Sequence, residues 1–85
     1  MSISEVYEII EKHTLNRFND GKQIKINSKE IAKLGRLNIV SISKSLNRLR
    51  RTTYIKFEII RKSNGLTGHW EYRYWVDKSN VEDEK

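Results

Sequence analysis

The chain has 85 residues, with 17 Lys and Arg against 11 Asp and Glu, a net charge of +6 and a pI near 9.7. A chain this short buries roughly 60% of its unfolded surface, which allows one small core and no deep catalytic cavity. It has no cysteine, which excludes a disulfide frame, a thiolate metal site and a cysteine nucleophile, and no apolar run of membrane-spanning length or basic-then-apolar leader; a cytoplasmic location is expected.

The charge is unevenly spread. From Arg36 to Lys62 eight basic residues stand against one acid, Glu58, for a net +7. From Asp77 to Lys85 four acids outweigh two lysines, for a net −2. A cationic middle with an acidic end suits a polyanion-binding surface followed by a solvated tail.

Ser2 and Glu5 have capping-box spacing, so a first helix is expected from the start of the chain. Ile3, Val6, Tyr7, Ile10, Thr14 and Phe18 share one side of it, and the turn-forming Asn19-Asp20-Gly21 is expected to end it. His13 lies at the edge of that side with no second ligand nearby in sequence, which reads as a core-edge residue. Gln23-Ile24-Lys25-Ile26 alternates and is too short for a helix, so it reads as a brief strand.

Asn27 and Glu30 form a second capping box, opening a helix of about two turns with Ile31, Ala32 and Leu34 inward and Gly35 as its left-handed stop. Asn38 caps a third helix, expected over 38–53. Ile39, Ile42, Leu46 and Leu49 fall on its inner arc.

The other face of this third helix carries Lys44, Arg48 and Arg51, flanked by Val40, Ser41, Ser43 and Asn47, and no acid. Lys44 and Arg48 are four residues apart and of like sign, a small repulsion that a polyanion would relieve. Arg and Lys suit guanine, Asn suits adenine, and a small apolar group suits the thymine methyl. The face therefore reads as a DNA-recognition surface. Arg50 falls near the buried arc and is expected to run along the helix end.

After Thr53 the period drops to two. Tyr54 to Lys62 places Ile55, Phe57 and Ile59 on one face, 63–68 is a turn-rich connector, and His69 to Val76 alternates again. This predicts a β-hairpin with a six-residue tip. Trp70, Tyr72, Tyr74 and Trp75 are expected mainly to pack against the core, with one face partly exposed; the alternative is a stacking platform for single strands. Glu58 and Glu71 beside Lys56 and Arg73 read as cross-strand ion pairs rather than an acid/base dyad. Beyond Val76 no apolar periodicity remains, so 1–76 is expected to form the domain and 77–85 an acidic, disordered tail.

Helix, short strand, helix, helix and two-stranded hairpin is the order of a winged helix-turn-helix. Ile42-Ser43-Lys44-Ser45-Leu46-Asn47-Arg48-Leu49 resembles the recognition-helix pattern V-S-R-A-L-x-R-L of prokaryotic winged-helix transcription regulators, and Ser28-Lys29-Glu30-Ile31-Ala32 resembles their positioning helix. The architectural likeness spans residues 2 to 76; the motif-level likeness covers about 20 of them. The chain departs from the pattern at Arg51-Thr52-Thr53, where many relatives place a Gly.

The resemblance implies an α+β fold and a compact transcription regulator of archaeal, plasmid or viral type, acting in the nucleoid or a host cytoplasm on double-stranded DNA. Lys44, Asn47 and Arg48 would reach base edges, with Val40, Ser41 and Ser43 beside them, and Arg51 would hold the backbone. Arg36, Asn38 and the amides opening the third helix suit a phosphate. Arg61, Lys62 and Asn64 in the 61–69 wing suit the backbone or the minor groove. The alternative is a winged helix that contacts proteins within a replication, transcription or partition assembly. Many relatives add a C-terminal dimerisation helix that the acidic tail cannot supply, so a homodimer would have to pair through helix one or the hairpin. No enzyme activity, cofactor, metal or small-molecule ligand is expected, for the chain has no phosphate-cradling Gly loop, metal-ligand spacing or nucleophile–base pattern.

Overall fold

The computed structural model describes residues 3–63 and 68–78. In chain order it contains α1 (Ile3–Thr14), β1 (Phe18–Asn19), β2 (Lys22–Gln23), β3 (Ile26–Asn27), α2 (Ser28–Gly35), α3 (Ile39–Leu49), β4 (Lys56–Ser63) and β5 (Gly68–Trp75). The result is a small α+β domain of three helices and antiparallel strands. Val6 and Ile10 from α1, Ile31 from α2, and Ile42, Leu46 and Leu49 from α3 close one core against Ile26, Ile55, Tyr74 and Val76.

α1 is shorter than its periodicity implies, and its Ser2 cap lies outside the described residues. Asn16 takes a left-handed conformation (φ 57°), which an Asn tolerates and which ends the helix after Thr14. Phe18, expected on the inner side of the helix, is instead in β1 and 58% exposed. Asp20 and Gly21, both at positive φ (57° and 76°), form the two-residue turn between β1 and β2, the conformation that an Asp-Gly pair favours. The single strand expected at 23–26 is split. Gln23 pairs with Phe18, while Ile26 and Asn27 pair with Tyr74 and Arg73 of β5.

Thr14 ties these parts together. Its buried hydroxyl donates to the Ile10 carbonyl (2.6 Å) and accepts from the Val76 amide (2.9 Å), joining the end of α1 to the end of β5. Gln23 Nε2 donates to the Thr14 carbonyl at 2.6 Å, holding the small hairpin against the same point.

The capping box of α2 is present: the Glu30 amide donates to Asn27 Oδ1 and the Asn27 amide to Glu30 Oε1, each at 2.9 Å. The left-handed stop falls one residue later than expected, at Arg36 (φ 54°). Arg36 N–H donates to Lys33 O (3.4 Å) and Leu37 N–H to Ala32 O (2.9 Å), a Schellman pairing. Gly35 answers a packing need instead: a Cβ there would run into the Ile9 side chain of α1 and sit 3.0 Å from Leu37 Cδ1. Leu34 and Ile39, expected inward, are exposed.

α3 stops at Leu49 rather than running to Thr53. The Thr52 amide and hydroxyl both donate to the Leu49 carbonyl (3.0 and 2.7 Å), and Thr52 Oγ1 accepts from the Tyr54 amide (3.2 Å). These bonds turn the chain toward β4, which begins at Lys56. Tyr54 packs edge-on to Tyr7, with ring centroids 6.3 Å apart.

The larger sheet has the order β3-β5-β4. Its register carries the hairpin ladder to Ser63 opposite Gly68, so only 64–67, outside the described residues, lie between the strands, in place of the six-residue tip. Phe57, Ile59 and Arg61 face the same side as Tyr74, Tyr72 and Trp70. That face starts in the core, where Tyr74 is 2% exposed, and leaves it, so that Trp70 is 64% exposed. Trp75 also remains half-buried, with Lys25 Nζ 4.6 Å from its ring centroid.

Among the described residues, the ion pairs of Glu58, Arg73 and Lys56 are not the cross-strand ones expected. Glu58, although opposite Arg73, pairs with Lys25 (3.1 Å); Arg73 pairs with Glu71 on its own strand (2.8 Å), and Lys56 lies 3.9 Å from Asp77. Of the acidic tail, Asp77 and Lys78 are described and exposed. Among the described residues, no helix is long and apolar enough to cross a membrane.

Candidate nucleic-acid interface

α3 is positioned by its apolar arc. Ile42, Leu46 and Leu49 are essentially fully buried against α1, α2 and β5, and Ser45 is buried beside them. By helical geometry the opposite face then points outward. Val40 is 65% exposed, Ser43, Lys44, Asn47 and Arg48 are exposed, and Ser41 is half-buried. Arg51 follows in the closing turn, outside the helix proper, and is exposed; Arg36 is exposed at the end of α2. Among the described residues, none of Arg36, Lys44, Arg48 and Arg51 forms an ion pair with an acid. The face thus carries positive charge that no acid among the described residues pairs with.

Three polar members of the face are already engaged. Asn38 Oδ1 accepts from the amides of Val40 (2.8 Å) and Ser41 (3.4 Å). The first turn of α3 is therefore capped by its own side chain, and those two amides are not open to a phosphate as expected. Ser43 Oγ donates to the Ile39 carbonyl at 3.0 Å, which leaves its oxygen as an acceptor. Asn47 Oδ1 accepts from Arg50 Nη2 at 2.6 Å, so Asn47 is not the uncommitted carboxamide that its exposure implies.

Between α3 and the hairpin lies an open cleft of about 820 Å³. Ser43, Leu46, Asn47 and Arg50 form one wall, Trp70, Glu71, Tyr72 and Tyr74 the other, and Asn27, Ser28 and Lys29 at the start of α2 the end. Arg50 bridges the walls: Nη1 donates to Tyr74 Oη (2.8 Å) and the guanidinium lies 4.3 Å from the Tyr72 ring centroid. Burial pushes the Tyr74 phenol pKa up, and the nearby Arg50 charge offsets part of that rise. Farther out, Arg61 lies over Trp70 at 5.6 Å from its ring centroid, exposed on the hairpin. The side chain of Lys62 and all of Asn64 lie outside the described residues.

Two features of the cleft were not anticipated. Lys29 adds a cation at its end, legible only as a polar residue in the first turn of α2. Arg50 does more than run along the helix end, because it holds Asn47 and Tyr74 together; no local pattern marks a contact spanning 24 residues. Among the described residues, no group of three or more His, Asp or Glu is placed to hold a metal.

The fold and this surface define a class: a small basic α+β domain whose third helix presents an exposed cationic face beside a β-hairpin. No family model matches the chain, and neither a curated protein nor a solved structure matches it.

Proposed function

We propose that the protein is a winged helix-turn-helix that binds double-stranded DNA in a sequence-specific manner, as a transcriptional regulator. α2 and α3 are the two members of the motif, α3 lies in the major groove, and the β4–β5 hairpin is the wing against backbone or minor groove. Lys44, Asn47 and Arg48 meet base edges, while Arg51, Arg36 and the wing cations hold phosphates. The observation that carries this reading is the exposed face of α3, where Lys44 and Arg48 stand without acidic partners among the described residues. The contiguous cleft and Arg61 extend the cationic surface toward the wing.

The test is a titration of labelled duplex against the protein at several salt concentrations. With about five phosphates engaged, log affinity falls against log salt with a slope of about −4 to −5. A flat salt response removes the electrostatic basis of the proposal. A second reading, a protein-interaction module, is favoured by one observation: Ile59 and Trp70 are exposed large apolar residues on the same face of the hairpin. Capture of a partner protein without retention of duplex at physiological salt would select it.

A further inference from the structure

The hydrogen bond from Arg50 to Asn47 bears on which base the face can read, given the DNA-binding reading above. A guanidinium has only donors, so the Asn47 atom facing Arg50 is the carbonyl Oδ1, and the orientation of the carboxamide follows from chemistry. Arg50 is in turn fixed by Tyr74 Oη at 2.8 Å and by the Tyr72 ring beneath it, both on β5. Tyr74 is buried, so this anchor belongs to the core.

An Asn that recognises adenine uses both ends of its amide: the oxygen accepts from the exocyclic amine and the nitrogen donates to N7. Here the oxygen is drawn toward a cation, and a second donor brought to it would meet the positive field of Arg50. Guanine presents N7 and O6, both acceptors, to the same place. The Asn47 nitrogen can donate to either, and the nearby guanidinium attracts O6.

We infer that Arg50 is a positioning residue that makes Asn47 a donor toward DNA, so that the base pair under Asn47 is read as guanine in preference to adenine. The hairpin thereby contributes to base choice through Tyr74 and Arg50 without touching that base.

Selection of bound duplexes from a random pool tests this with the intact protein and three variants. Asn47→Ala identifies the base pair, as the position at which truncating that side chain removes the preference. The intact protein is expected to prefer guanine over adenine there by roughly tenfold. Arg50→Met is expected to bring adenine to parity or better at that position and leave the other positions unchanged. Asn47→Asp keeps an acceptor facing Arg50 but lacks the donor; it is expected to lose the guanine preference, and it reads the same contact should Arg50→Met fail to fold. A consensus with adenine at that position, or an Arg50→Met or Asn47→Asp profile identical to that of the intact protein, overturns the inference and leaves the DNA-binding proposal standing. Failure to enrich any sequence overturns both.

Discussion

Thr14 shows how much one hydroxyl can hold. It is fully buried, gives its hydrogen to Ile10 O and receives the Val76 amide, so removing it strands a backbone donor in the core. Thr14→Val keeps the shape and is expected to cost about 1–3 kcal/mol, the desolvation penalty of an unsatisfied amide. Thr14→Ser retains the bond and is expected to recover most of that; chemical denaturation of the three proteins compares them. Arg36 presents the opposite case. A non-glycine residue held at φ 54° carries strain, and its side chain is exposed without an acidic partner among the described residues. Arg36→Gly is expected to raise stability by about 1 kcal/mol. The same change is expected to weaken duplex binding and reduce the magnitude of the salt slope by about one. Stability and affinity moving in opposite directions would mark a cation retained for binding at the expense of the fold.

At the scale of elements, Tyr74 couples β5 to α3, and its ionisation reports that coupling. Its folded pKa is raised, mainly by burial, above the ordinary tyrosine value of about 10. Below that value the phenol is neutral in both states and its contribution is complete. Above it the unfolded chain loses the proton first, so stability falls as pH rises toward the folded pKa. Stability from pH 9 to 11 is therefore expected to fall more steeply for the native protein than for Tyr74→Phe, as denaturation midpoints would show. α2, α3 and the hairpin were legible because each has a local signature: the Asn27–Glu30 box, the Asn38 cap with its apolar arc, and the alternation on both sides of the connector. The β1–β2 turn was not, because Phe18 falls four residues after Thr14 and continues a helical arc that Asn16 has already ended. Asp20-Gly21 could have revealed it, being a hairpin turn as readily as a helix terminator. Asn47 was legible as a surface residue, but its engagement with Arg50 depends on a tyrosine brought in from a strand 24 residues away from that arginine.

Across the whole molecule, positive charge on α3 with its closing turn and on the β4–β5 hairpin borders one cleft, with Lys29 of α2 at its end. If one duplex engages both α3 and the hairpin, their contributions differ in kind. Arg51 and Arg61 would meet phosphates, so Arg51→Ala and Arg61→Ala are each expected to weaken all sequences alike and to reduce the salt slope by about one. Arg48 would meet a base edge, so Arg48→Ala is expected to cost about 1–3 kcal/mol on the selected site and much less on random duplex, narrowing the gap between them. A panel of the three variants, titrated at several salt concentrations on both duplexes, separates the two behaviours. A uniform loss for Arg48→Ala would move that residue to the backbone and place base reading elsewhere on α3. An unchanged slope for Arg61→Ala would detach the hairpin from the duplex, leaving its exposed Trp70 and Ile59 to be explained by a protein partner.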